Sequence, residues 1–184
     1  SIIGTGEVVE RERIEPGGIL ARVSSSHIRI GTFEFFSAKK DLVSVKELSD
    51  YSIKRHFSEI WPSKNRYLSF LDKIIECQAK LVAQWMNVGF IHGVMNTDNT
   101  SISGQTIDYG PCAFMNIFDP NTVYSFIDTH GRYSYGNQPK VMLWNLSKFA
   151  ECISFLINEN EKKANKMILE SLSKFPRLFE KFWI

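Results

Sequence analysis

Residues 92–110 read His-Gly-Val-Met-Asn-Thr-Asp-Asn, then Thr-Ser-Ile-Ser-Gly-Gln-Thr-Ile, then Asp-Tyr-Gly, and the fold is decided here. Ser101-Ile102-Ser103 and Gln105-Thr106-Ile107 are two short strand-like arms around Gly104. Together they predict a small hairpin with Asn99 at one end and Asp108 at the other. Asn99 offers an amide oxygen and Asp108 a carboxylate. Magnesium and manganese prefer such hard oxygen donors, usually with phosphate oxygens completing the sphere. Asn and Asp also bond their own backbone in turns, so an Asx-rich turn is the competing reading of these two residues alone.

The residues upstream tip the balance. Over 63–88, Leu68, Leu71, Ile74, Ile75, Leu81, Val82, Trp85 and Met86 form a wide apolar stripe at helical spacing. Pro62 and Ser63 punctuate the start of this predicted helix, and Gly89 stands where a left-handed cap belongs. A long buried helix, a His-led loop ending in Asn, a hairpin and an Asp-x-Gly form the order of a protein-kinase C-terminal lobe. Against the pattern H-R-D-L-x-x-x-N, His92 and Asn99 coincide, while Val94 occupies the position of the catalytic Asp. Asp98 is the nearest loop carboxylate able to accept a proton; capping a turn explains it equally well. His92 is expected to be a packed hydrogen-bonding post, and neither it nor His27, His56 or His130 is given a catalytic role. Arg22 and Arg29 flank a polar Ser-Ser-Ser-His stretch. Guanidinium groups suit phosphate oxygens, but spacing alone does not separate that role from ordinary surface arginines.

The rest of the chain fits one domain or a large part of one. Its 184 residues are 43% hydrophobic and 13% aromatic, enough for a packed core. With a net charge of +2, nothing argues for a nucleic-acid partner or a strongly basic membrane surface, and no apolar run reaches the ~20 residues of a membrane span. No signal-peptide pattern opens the chain. Cys77, Cys112 and Cys152 are odd in number and far apart, which suits reduced thiols better than disulfides or a zinc site. Asn99-Thr100-Ser101 and Asn145-Leu146-Ser147 match the glycosylation pattern by chance. A hairpin is expected over 5–23, with Val8-Val9 in one arm, Ile19 to Val23 in the other and Pro16-Gly17-Gly18 near the turn. Residues 24–31 suggest a loop, 42–58 a helix, 119–139 an ordered loop, and 140–158 and 159–182 two helices, the last broken or kinked at Pro176.

Longer motifs carry a resemblance. Arg22-Val23, Ser26 to Gly31, Gly93 to Asn99, Thr106 to Met115, Gly131-Arg132-Tyr133, Tyr135 to Pro139 and Trp144-Asn145-Leu146 strongly resemble the selenoprotein O family (SelO, also YdiU), over nearly the whole chain. The resemblance implies a protein-kinase-like pseudokinase fold: α+β, with a mostly helical C-terminal lobe over 32–184 carrying the metal site. Residues 1–31 would be the end of the N-terminal lobe, a short β-hairpin and a hinge-like segment. The implied activity is protein adenylylation (AMPylation), passing AMP from ATP to Ser, Thr or Tyr hydroxyls of proteins, with Mg2+ or Mn2+ as cofactor. By the same resemblance Asp98 falls on the proton acceptor, Asn99 and Asp108 on the metal ligands, and Arg22, Arg29 and Asp108 on nucleotide contacts. A conventional protein phosphotransferase or a non-catalytic pseudokinase scaffold are the alternatives; Val94 argues against the first and the intact metal pair against the second. The family's glycine loop, strand lysine and helix glutamate belong before residue 1, and its selenocysteine or cysteine beyond Ile184. The chain is therefore expected to be a fragment, unable to bind ATP well alone. Asn116 departs from the acidic residue expected there. The compartment would be cytoplasmic in a bacterium and mitochondrial in a eukaryote.

Overall fold

A long helix organises the chain. The computed structural model describes residues 2–183, and its longest element is α3 (Arg66–Asn87). Phe70, Leu71, Ile74, Ile75, Ala79, Leu81, Val82 and Trp85 of this helix are buried, each large side chain contributing roughly 1.5–3 kcal/mol. The helix stops at Gly89, whose φ of 68° is costless only for glycine. It begins at Arg66 rather than Ser63.

Against α3 pack α4 (Gln138–Ile157), α5 (Glu161–Leu172) and α6 (Phe175–Phe182), while α1 (Ile30–Ala38) and α2 (Leu42–His56) pack on α4 and on each other. Phe33 of α1, Phe70 of α3 and Phe149 of α4 meet at the centre. The Phe33 and Phe70 rings each turn an edge to Phe149, at 5.0 and 5.4 Å between centroids, and all three are fully buried. Asp41 caps α2 by accepting from the Ser44 backbone N–H at 3.0 Å. The helix ends at His56, short of the expected 58, because Phe57 turns inward to pack on Phe70 at 5.8 Å. The helix expected over 159–182 is two, α5 and α6, with Pro176 in the first turn of α6 where its missing N–H costs nothing.

Helix α1 is an addition to the sequence reading. Its Ile-Gly-Thr-Phe-Glu-Phe-Phe stretch has weak helix propensity; insertion of Phe33 into the aromatic centre holds it helical. A second addition is the antiparallel pair β3 (Phe90–Ile91) and β4 (Ala113–Phe114), with Phe90 opposite Phe114.

The N-terminal hairpin is present with a different turn. Strands β1 (Ile2–Glu10) and β2 (Ile14–Leu20) pair antiparallel, and the chain reverses at Arg11–Arg13, not at Pro16-Gly17-Gly18. The turn is the charged Arg11-Glu12-Arg13, just past the Glu10–Ile14 pair. Pro16 instead sits in β2 opposite Val8, where the register shifts; a two-stranded ribbon has free edges that tolerate a missing N–H. Every residue of β1 is exposed, Val8 at 72%, and in β2 Ile14, opposite Glu10, is 71% exposed. The architecture among the described residues is thus α+β, mostly helical, with a small hairpin. Among the described residues no helix is long and apolar enough to cross a membrane.

Candidate active site

Strand β3 delivers the chain directly into the 92–99 loop. The His92 ring is fully buried, lying 5.3 Å from the Trp85 ring. Its Nε2 is 2.8 Å from the Ile107 carbonyl, and its Nδ1 is 3.4 Å from the Val94 backbone N–H. A nitrogen facing a carbonyl must donate and one facing an N–H must accept, which assigns the neutral Nε2–H tautomer. Burial pushes the imidazole below its ordinary value, against the opposing pull of the Ile107 bond and the Asp108 charge. His92 is therefore a post that joins the loop to the residue before Asp108, as expected. Gly93 next to it has φ 84°, and a Cβ there would meet Pro111 at 3.0 Å.

Residues Thr97–Asn99 form one 3-10 turn, capped by Asn96, whose Oδ1 accepts from the Asn99 N–H at 3.1 Å. Asn99 Nδ2 donates to the Val94 carbonyl at 2.9 Å. That bond uses the donor end of the amide and leaves Oδ1 as its free acceptor. So Val94 has a role through its backbone: its carbonyl orients Asn99. Asp98 is exposed and rests against Gly31 in the first turn of α1.

The predicted hairpin around Gly104 is tighter than two strands. A single bridge joins Thr100 to Thr106, and Gly104 takes φ 66° packed on Cys77. Segment 24–30 is strapped along it. Ile30 N–H donates to the Thr100 carbonyl at 3.0 Å and Ile102 N–H to the Ile28 carbonyl at 3.1 Å. Gln105 Oε1 accepts from Ser24 Oγ, Ser25 N–H and Ser25 Oγ at 2.7, 2.8 and 2.9 Å. This strap carries Arg22 and Arg29 to the hairpin's Asp108 end.

There, Arg22, His27, Arg29, Thr106, Asp108 and Tyr109 line a cleft of about 480 Å³. The Arg22 guanidinium lies 4.8 Å over the Tyr109 ring, a cation–π contact that holds it beside Asp108. Asp108 has φ 56°; among non-glycine residues, Asp and Asn tolerate this left-handed region best. Three of the five sequence-singled residues, Arg22, Arg29 and Asp108, thus share one cleft. Asp98 and Asn99 do not line it; they approach from the α1 side. A second cleft of about 370 Å³, lined by Ser25, Thr32, Tyr51 and Arg55 among others, shares Ser24 and His27 with the first. A larger cleft of about 620 Å³ lies along α6 and includes none of these residues.

Asn99 and Asp108 offer the donor types a hard cation takes, an amide oxygen and a carboxylate, but only Asp108 lines the cleft. Among the described residues no group of three or more His, Cys, Asp or Glu could hold a metal.

Three buried amides support the loop. Gln138 of α4 accepts from the His92 N–H at 3.1 Å and donates to the Phe90 carbonyl at 3.0 Å. Asn145 donates to the Met95 carbonyl at 3.0 Å and to Thr100 Oγ1 at 2.9 Å. Gln78 of α3 donates to the Ser101 carbonyl at 2.6 Å. From sequence, Gln138 and Asn145 stand within the resemblance motifs, with no role, and Gln78 is not singled out at all. Their signal is an amide interrupting the apolar face of a helix, as Gln78 does between Ile75 and Leu81.

Comparison with known proteins bears on the whole chain. The family model described as "Protein adenylyltransferase SelO" matches residues 1–183. A "Protein nucleotidyltransferase YdiU" of Clostridium perfringens is 53% identical over 183 residues, covering 100% of this chain and 37% of that protein. A protein of the same name from Nitrosococcus oceani is 53% identical over 184 residues, and one from Pelagibacter ubique 52% identical over 184 residues. The chain spans under two-fifths of the length of these curated relatives, 37% and 38% in the last two. With a family model matched along its length and half its residues shared with these relatives, the chain belongs to the protein adenylyltransferase SelO family.

Proposed function

We propose that this chain is the metal- and phosphate-handling part of a protein adenylyltransferase of kinase-like fold, whose full-length form transfers AMP from ATP to Ser, Thr or Tyr hydroxyls of protein substrates. The observation that carries the reading is the shared cleft of Arg22, Arg29 and Asp108, with Arg22 stacked on Tyr109. Guanidinium groups facing a carboxylate in one cleft fit a polyphosphate whose charge is balanced by both arginine and a divalent cation.

In this reading Asn99 Oδ1 and Asp108 would hold Mg2+ or Mn2+. When bound, that ion offsets charge on the phosphate oxygens. Arg22 and Arg29 bind and orient the phosphates. Asp98 accepts the proton of the incoming hydroxyl as its oxygen bonds to the α-phosphorus and the bond to the pyrophosphate oxygen breaks; pyrophosphate departs with the electron pair. Val94, where a kinase would carry its acid, does no proton chemistry. Residues 1–31 act as the end of an N-terminal lobe and 32–184 as the C-terminal lobe. The names of the relatives support nucleotidyl transfer over phosphoryl transfer.

The test uses the full-length protein with ATP labelled at either the α- or the γ-phosphate. α-Label on protein is expected. γ-Label would mean a conventional phosphotransferase, and no label a scaffold. Asp108→Asn, which keeps the backbone conformation accessible, should abolish transfer.

A further inference from the structure

Gly31 is the second residue of α1 and fully enclosed. A Cβ built on it would overlap the Asp98 carboxylate, with Asp98 Cγ at 2.9 Å and Asp98 Cα at 3.2 Å. The contact therefore involves the backbone of the loop as well as its side chain. The loop has no slack to retreat. Asn145 holds it on both sides of Asp98, at the Met95 carbonyl and Thr100 Oγ1. Thr100 Oγ1 in turn donates to the Asn96 carbonyl at 3.0 Å. The N–H of Ile30, one residue before Gly31, bonds the Thr100 carbonyl at 3.0 Å. The first turn of α1 contains no acidic residue of its own, so Asp98 is the anion at this helix end, where the helix dipole favours negative charge.

From this geometry we infer that Gly31 is a positioning residue: its missing side chain seats the Asp98 carboxylate on the first turn of α1 and sets where the base points. The same helix begins one residue after Arg29, so its N-terminus ties the position of the base to that of a phosphate-cleft arginine. This inference rests on the reading of Asp98 as the base.

In an ordinary helix Gly→Ala is stabilising, so a loss from Gly31→Ala is a steric signature. In the full-length protein, Gly31→Ala should lower kcat for AMP transfer about 10²-fold, the scale of an ångström-size misplacement, and leave KM for ATP unchanged. In an Asp98→Asn background it should cause no further loss. An undiminished kcat for Gly31→Ala beside an inactive Asp98→Asn would overturn this inference alone, as would an equal loss in both backgrounds. Full activity of Asp98→Asn would remove the base reading and this inference with it. Melting temperature gives an independent arm: Gly31→Ala should lower it, and adding Asp98→Ala should restore part of the loss. Absence of that rescue would likewise overturn the contact.

Discussion

The most demanding consequence of the site's support concerns Gln138. This side chain is fully buried and uses both ends of its amide, accepting from His92 N–H at 3.1 Å and donating to the Phe90 carbonyl at 3.0 Å. Gln138→Met keeps the length of the chain and removes both bonds. Two buried backbone groups are then orphaned, each at about 1–3 kcal/mol, or roughly 2–6 together. Methionine brings no amide of its own into the core, which favours the lower half, about 3 kcal/mol. In a domain of this size that corresponds to a fall of about 6–12 °C in Tm. Gln138→Glu gives a second handle. One carboxyl oxygen can still accept from His92, but the other faces a carbonyl and must be protonated to donate. Its pKa in the folded state is then raised above the unfolded value of about 4.3. The stabilising contribution is complete below that value and is lost as pH rises through the folded pKa. Gln138→Glu should approach wild type in acid and diverge toward neutral pH. Denaturant and thermal unfolding across pH check both. A Gln138→Met loss within about 0.5 kcal/mol, typical of a surface change, would refute the reasoning.

Other expectations are simpler. Phe149→Ala removes a fully buried ring that receives edges from Phe33 and Phe70, and should cost about 3–5 kcal/mol in chemical unfolding. His92 is held below its ordinary pKa by burial, so its stabilising contribution is complete above the unfolded value of about 6.5 and is lost as pH falls toward the folded one. Melting temperature should therefore drop on acidification below that point, and His92→Gln should flatten the slope. Cys152, 5% exposed and pushed up to about 11 by burial, should resist iodoacetamide in the native protein near neutral pH and react once denatured, as read by mass spectrometry.

The parts of this molecule legible in its sequence are those governed by neighbours in the chain. The α3 stripe, the cap at Gly89 and the turn at Gly104 each follow from residues a few positions apart, and all are present. The spacing of His92, Asn99 and Asp108 is readable because one loop and one turn carry all three, yet of these only Asp108 lines the arginine cleft. What escaped depends on distant partners. Helix α1 exists because Phe33 finds Phe70 and Phe149, and β3–β4 because Phe90 meets Phe114 across more than twenty residues; neither pairing leaves a local mark. The hairpin turn was misplaced because Pro and Gly usually signal reversal, whereas on a two-stranded ribbon they are tolerated within a strand. The clamping amides were invisible for a related reason: a glutamine on a helix declares its partner only once the backbone carbonyl opposite is known.

The ribbon formed by β1 and β2 has one more implication. With Ile2, Val8, Ile14 and Ile19 at 79, 72, 71 and 59% exposure and no third strand on either outer edge among the described residues, it presents open hydrogen-bonding rails beside greasy faces. Such a ribbon recruits further strands. Handled as an isolated polypeptide, this chain should self-associate in a concentration-dependent way, and shielding those edges would govern its colloidal behaviour.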